Sequence, residues 1–176
     1  MLARSGIDAL APGTWADLGC GDGVFTVALA TLLAPGSTVH AVDRDAAVLA
    51  RIPPRHAGVE IVTRQQDMAS FTAGGRLDGV LMANSLHYVN GQPAFIRAWA
   101  ARLAPPYRFV IVEYDTEASN PWVPFPISRA RLPSIFGVAE DAIHDLGRRP
   151  SIYRRAPLYA ALVLAPPQER LPGSPG

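Results

Sequence analysis

Asp17-Leu18-Gly19-Cys20-Gly21-Asp22-Gly23 decides how the rest of the chain is read. A short apolar run, Thr14-Trp15-Ala16, precedes it, and a segment with helical periodicity, residues 24–33, follows it. Strand, tight glycine-rich turn and helix in that order make the first crossover of a nucleotide-binding α/β sheet. Glycine permits backbone angles that a Cβ forbids, and it lets a ligand approach the main chain. The N–H groups that open the following helix lack intrahelical partners and carry partial positive charge, so they suit an anionic group.

The spacing narrows the ligand. A dinucleotide fingerprint, Gly-x-Gly-x-x-Gly/Ala, would place Gly or Ala where this chain has Val24. Here the pattern is Gly19-x-Gly21-x-Gly23, with Asp17 two residues before the first glycine. An acid at a strand end beside such a loop suits a ligand with an ammonium group and repels a pyrophosphate. The competing reading is a tight turn that binds nothing.

Outward from the loop, the periodicity predicts alternating strands and helices. Strands are expected at residues 15–18, 38–42, 59–63, 77–83 and 109–112. Helices are expected at 24–33, 46–51 and 93–103, the last with Phe95, Ile96, Trp99 and Leu103 on one face. Pro35-Gly36, Pro53-Pro54 and Pro105-Pro106 punctuate them. Residues 127–138 read as a helix interrupted at Pro133, and residues 139–146 as a second helical piece. Residues 151–155 and 158–164 read as a closing hairpin around Ala156-Pro157, its last strand antiparallel to the rest. Residues 1–10 are expected to form one or two helical turns before Pro12-Gly13. The Pro- and Gly-rich residues 166–176 read as a disordered tail. The expected organisation is one domain over residues 1–165.

Composition excludes several classes. With 176 residues, 49% hydrophobic and 18% charged, the chain is globular in character and long enough for a full core. A net charge of +1 supplies no field to gather nucleic acid or an anionic membrane. The single cysteine, Cys20, rules out an internal disulfide and a cysteine-cluster metal site, and no metal site is expected. The first residues show no continuous apolar stretch of the signal-peptide kind, and residues 158–165 are too short to span a bilayer. A cytoplasmic location is the resulting expectation.

Asp43 follows the second strand, about 20 residues beyond the loop, where a carboxylate accepts hydrogen bonds from both hydroxyls of a ribose. The alternative is that Asp43, with Asp45, caps the next helix. Asn84-Ser85-Leu86-His87-Tyr88 leaves the fourth strand at its carboxyl end, beyond which open α/β sheets bind ligands. His87 suits a general base because imidazole titrates near neutrality; the alternative is a histidine that holds the loop. Glu113 and Asp115 leave the fifth strand at the same edge. Asn120-Pro121-Trp122-Val123-Pro124-Phe125-Pro126 is too proline-rich for helix or central strand and carries two aromatic residues. It reads either as a rigid loop across a substrate mouth or as a stiff connector covering the sheet edge. Arg148, Arg149, Arg154 and Arg155 form a basic cluster that reads as a solvated hairpin or, alternatively, as an RNA contact.

Asp-x-Gly-x-Gly-x-Gly at Asp17 to Gly23 resembles the first motif of class I S-adenosylmethionine-dependent methyltransferases. Asn-x-Leu-His at Asn84 to His87 departs from the Asp/Asn-Pro-Pro-Tyr of the amino-methylating DNA and protein enzymes and looks more like the small-molecule branch. The Pro-rich loop and Leu146-Gly147-Arg148-Arg149-Pro150-Ser151 resemble segments of a poorly characterised bacterial group in that branch.

The resemblance implies a Rossmann-like, mostly parallel seven-stranded sheet with helices on both faces and an antiparallel last strand. It implies S-adenosylmethionine as methyl donor, held by Asp17, Gly19, Cys20, Gly21, Gly23, Asp43 and Asn84. It also implies Asp67 at the adenine amino group and Met68 against the ring. His87 is the candidate catalytic residue, and Tyr88, Glu113 and Trp122 are candidates to meet a small-molecule acceptor. Residues 1–10 are a shorter leader than the N-terminal helices that roof the site in related small-molecule enzymes. An inactive S-adenosylmethionine-binding module and an RNA methyltransferase are the alternatives, and a homodimer that completes the site stays open. Arsenic methylation, which uses several cysteines, is excluded by the single Cys20.

Overall fold

The computed structural model describes residues 11–150 and 156–165. The sheet is built from strands β1 (Thr14–Leu18), β2 (Thr38–Asp43), β3 (Arg55–His56), β4 (Val59–Gln65), β5 (Gly79–Ala83), β6 (Tyr107–Tyr114), β7 (Ile143–Arg149) and β8 (Leu158–Ala165). Its order is β3-β4-β2-β1-β5-β6-β8-β7. The run β4-β2-β1-β5-β6 is parallel throughout. β8 inserts antiparallel between β6 and β7. Helices α1 (Val24–Leu32), α2 (Ala46–Leu49), α3 (Gln92–Ala100) and α4 (Leu132–Phe136) complete the described elements, with three 3₁₀ turns.

The sequence dictates this layering. β1, β2, β5 and β6 are near-continuous apolar runs, as strands covered on both faces must be. Successive side chains alternate between the two faces. Ala16, Val80, Met82, Phe109 and Ile111 point into one core with Ile96, Trp99 and Phe136 of α3 and α4. Trp15, Leu81, Val110 and Val112 point into the other with Leu29 and Leu49 of α1 and α2. Gly79 exists for this packing: a Cβ there would lie 2.3 Å from the Trp15 indole.

The mostly parallel sheet, the helices on both faces and the antiparallel last strand are as expected; the strand count is eight, not seven. The extra strand, β3, is two residues long and pairs antiparallel with β4. The expected helix at residues 139–146 is not formed. A single 3₁₀ turn, Glu140–Ala142, leads directly into β7. Ile143 and Leu146 have helix-like spacing, but on a strand residues three apart face opposite ways, and each enters a different core. β7, rather than residues 151–155, is therefore the described partner of β8 in the closing hairpin. Residues 1–10, 151–155 and 166–176, with the leader, strand and tail expected there, lie outside the described residues.

Candidate functional site

β1, β2, β4, β5 and β6 end on the same edge of the sheet, and the chain changes direction there. The glycine loop is pinned at that edge. Gly19 and Cys20 N–H both donate to the Val42 carbonyl, at 2.8 and 3.0 Å, and Gly23 N–H donates to the Cys20 carbonyl at 3.0 Å. Gly19, Gly21 and Gly23 all have positive φ, at 74°, 54° and 82°. Two of the three are also enforced by contact: a Cβ would lie 2.7 Å from Ser85 Cβ at Gly19 and 2.7 Å from Ile52 Cγ1 at Gly23. At Gly21 a Cβ would meet nothing within 4 Å. The middle of the loop therefore faces open space, where a ligand has direct access to the main chain.

Asp17 lies beneath this loop, fully buried. Its Oδ2 accepts a hydrogen bond from the Thr26 hydroxyl at 2.6 Å, and Oδ1 has no partner. Burial pushes its carboxyl up from the ordinary 3.8 to about 7; the Thr26 bond opposes this and the Asp43 charge adds to it. Asp43 Oδ2 accepts from Gly21 N–H at 2.9 Å and Oδ1 from Asp45 N–H at 3.0 Å. Asp45 caps α2, accepting from Ala47 N–H at 2.8 Å, so capping does not account for Asp43. Burial, reinforced by Asp17 and Asp43, raises the Cys20 thiol far above its usual range, so it is no thiolate nucleophile at neutral pH.

The neighbouring turns complete a cleft of about 370 Å³. Gly19, Asp43, Asp67, Met68, Asn84 and Tyr88 line it. Asp67 caps its own turn, Oδ1 accepting from Ala69 N–H at 2.8 Å, while Oδ2 stands 3.8 Å from the exposed Arg44 guanidinium. Asn84 has a φ of 54°, unusual for a residue with a Cβ. Its N–H is spent on the Val112 carbonyl, and its buried Oδ1 has no partner. Sequence reasoning missed Arg44, Ser85, Val89 and Phe95, which also line the cleft. Ser85 donates to the Leu18 carbonyl at 2.6 Å, tying the end of β5 to the end of β1. Nothing in the local pattern around Ser85 signals a bond across 67 residues.

The remaining candidates lie differently from expectation. His87 is buried behind the cleft in the 3₁₀ turn Leu86–Tyr88, its ring centroid 4.3 Å from that of the exposed Tyr88. Its Nδ1 meets Glu113 Oε2 at 2.6 Å, and its backbone N–H donates to Glu113 Oε1 at 3.2 Å. Glu113 is therefore not available to orient an acceptor: it is 1% exposed and both its oxygens hold His87. Trp122 does not line the cleft but stands exposed on the turn Asn120 to Val123, where Asn120 Oδ1 accepts from the N–H groups of Trp122 and Val123. That loop is tied to the turn beside it. Phe125 N–H donates to the His87 carbonyl at 3.0 Å, and Gln92 Nε2 donates to the Phe125 carbonyl at 2.8 Å. Of the basic cluster, Arg148 is paired with Asp115 at 2.6 Å, and Arg154 and Arg155 lie outside the described residues.

Among the described residues no group of three or more His, Cys, Asp or Glu is arranged to hold a metal, and no helix is long and apolar enough to cross a membrane. The site does fit a ligand that is cationic at one end and a nucleoside at the other. It has an unpaired carboxyl oxygen under the loop, a second unpaired acceptor at Asn84, open space over Gly21, and acids at the ends of β2 and β4.

Comparison with known proteins agrees. A family model described as a methyltransferase domain matches residues 16–106, just over half of the chain. The chain belongs to this methyltransferase family; it is an enzyme of class I that uses S-adenosyl-L-methionine. Solved structures share the fold at low identity. N-methyltransferase NodS from Bradyrhizobium japonicum WM9 matches at TM-score 0.65 and 17% identity, over 93% of this chain and 92% of that one. Magnesium protoporphyrin IX methyltransferase from Synechocystis PCC 6803, with S-adenosylmethionine bound, matches at 0.62 and 18%, over 92% and 74%. A Burkholderia thailandensis 1,6-didemethyltoxoflavin-N1-methyltransferase matches at 0.65 and 17%, over 94% and 74%. No curated protein sequence matches the chain significantly.

Proposed function

We propose that the cleft transfers the methyl group of S-adenosylmethionine to a small-molecule acceptor by in-line displacement. The observation that carries this reading is the cleft itself. At about 370 Å³ it is the size of a small-ligand pocket, and it runs from Asp43 and Asp67 to Asn84 and Tyr88 at one sheet edge. When bound, S-adenosylmethionine supplies a methyl carbon already activated by its positive sulfur. The protein's work is then to hold two reactants in line and keep water out.

The residues divide that work. Asp43 accepts from the ribose hydroxyls, and Asp67 with Met68 frames the adenine. Gly19, Gly21 and Gly23, with Cys20 between them, let the loop close on the donor, while Asp17 beneath it offers negative charge to the ammonium group. Asn84, with a buried oxygen that has no partner, lines the cleft at the end of β5 and would serve the donor, and Tyr88 walls the acceptor side. His87, gripped by Glu113, acts as a positioning residue for the Tyr88 turn and the Phe125 loop. The toxoflavin-precursor and protoporphyrin methyltransferases, with the same fold, are named for small organic acceptors.

The test is acceptor-dependent formation of S-adenosylhomocysteine, read by mass spectrometry on the purified chain with S-adenosylmethionine and a panel of small heteroatom acceptors, with bulk RNA in parallel. Turnover with a small molecule and none with RNA is expected. Turnover confined to RNA, or none with any small acceptor, overturns the proposal.

A further inference from the structure

We infer that the acceptor of this methyltransferase is a flat, uncharged aromatic molecule, seated between Tyr88 and the loop carrying Trp122 and Phe125. The inference rests on the small-molecule reading above and names the chemical class.

Exposed apolar surface is the first observation. Large hydrophobic side chains left open to water are concentrated, among the described residues, at Val24 (65%), Tyr88 (54%), Trp122 (63%) and Phe125 (38%). All four follow the carboxyl ends of parallel strands: Val24 after β1, Tyr88 after β5, Trp122 and Phe125 after β6. Phe125 is tied to the Leu86–Tyr88 turn through the His87 carbonyl, so its exposed ring and that of Tyr88 sit on adjoining turns of this edge, and exposed apolar side chains brought together mark a binding surface. Three of the four are aromatic, whose faces attract another aromatic ring in offset or edge-to-face geometry.

The second observation is that these aromatics are held in place. Asn120 fixes the turn under Trp122 through two backbone N–H groups. Phe125 is clamped through both its N–H, to His87, and its carbonyl, to Gln92. His87 is in turn fixed by Glu113. A preorganised aromatic surface pays little ordering entropy when a rigid ligand lands on it.

The third observation is the state of the nearby charges. Glu113 is spent on His87. Asp115 is spent on Arg148 and on the Arg129 backbone N–H. Arg129 is spent on Asp145 and Glu140. Glu117 accepts the Ser128 hydroxyl, and Arg131 donates to the Pro126 carbonyl. Among the described residues, the cleft lining carries no charged side chain beyond Asp43, Arg44 and Asp67, and those three stand at the ends of β2 and β4. On the acceptor side the wall is Tyr88, Val89 and Phe95. A charged acceptor would be desolvated there without a partner.

The test uses 2-naphthol as the neutral aromatic probe, with putrescine and citrate as cationic and anionic comparators, titrated calorimetrically into the chain saturated with S-adenosylhomocysteine. Saturable binding of 2-naphthol alone is expected, and Phe125→Ala and Trp122→Ala each weaken it about tenfold while S-adenosylhomocysteine affinity stays within twofold. Trp15 and Trp99 are buried, so the perturbed indole N–H signal in a ¹⁵N spectrum is expected to be that of Trp122. Putrescine or citrate binding as tightly as 2-naphthol, or 2-naphthol affinity indifferent to both variants, overturns the inference. Trp122→Ala changing the mass measured by light scattering but not 2-naphthol affinity also overturns it, making the rim an interface between copies. If S-adenosylhomocysteine binds and 2-naphthol does not, the acceptor class alone is wrong. If neither binds, the functional reading fails with it.

Discussion

Replacing Glu113 by Ala removes one carboxylate and strands two buried donors. Glu113 is 1% and His87 2% exposed, so water does not reach either group without rearrangement. One oxygen accepts the Nδ1 bond at 2.6 Å, the other the backbone N–H bond at 3.2 Å. A buried donor left unpaired costs about 1–3 kcal/mol, and Glu113→Ala leaves two of them. The long second bond contributes less than the first, and the cavity left by Ala admits a water that recovers part of the loss, so about 3 kcal/mol is expected. For a domain of this length each kcal/mol lowers Tm by about 2–4 °C, giving a drop of about 6–12 °C. Glu113→Gln keeps one acceptor but turns a donor toward a donor, and falls between wild type and Ala. Urea unfolding read by far-UV circular dichroism measures both, and the cycle with His87→Ala should show coupling of about 1 kcal/mol or more. A Glu113→Ala variant within about 0.5 kcal/mol of wild type would refute the view that this pair holds the turn.

Asp17→Asn tests the strain under the loop. Because burial raises the folded carboxyl's pKa from 3.8 to about 7, the folded state binds the extra proton between those values. Stability from this group is therefore full below 3.8 and declines as pH rises through about 7, a cost of up to about 4 kcal/mol at about 1.4 kcal/mol per tenfold change in proton affinity. Asn still accepts the Thr26 hydroxyl, so the variant should be at least as stable as wild type at pH about 8 by urea unfolding, yet bind S-adenosylmethionine more than about tenfold more weakly. His40 behaves oppositely: burial, with Arg64, lowers its pKa and its Nδ1 has no partner, so its contribution is present above the usual 6.5 and is lost as pH falls below it. His40→Leu should flatten the acid limb of the stability curve. Gly21→Ala meets open space and should cost only about 1 kcal/mol for its positive φ. Gly19→Ala drives into Ser85 and should cost more; thermal melts separate the two, while calorimetry should show both losing the donor.

What was legible in the sequence was local. The glycine loop and Asp43 announce themselves because a backbone turn needs those residue types at those intervals. The buried strands show as apolar runs because both faces are covered. β3 is too short to carry a pattern. β7 carries a misleading one, since Ile143 and Leu146 have helical spacing and only pairing with β8 decides otherwise. The Glu113–His87 pair spans 26 residues, and nothing near either residue says that the carboxylate turns inward rather than toward an acceptor. Asn84 at positive φ is likewise set by the junction of β5 with β6.

The cleft between Gly19, Asp43 and Asn84 is the seat proposed for S-adenosylmethionine. Calorimetric titration of the chain with S-adenosylmethionine and, separately, with NAD, repeated on Asp43→Ala, tests it most directly. Micromolar binding of S-adenosylmethionine alone, weakened about tenfold or more in a variant with an unchanged circular dichroism spectrum, is the result predicted. No binding of S-adenosylmethionine, or binding indifferent to Asp43, would contradict the account.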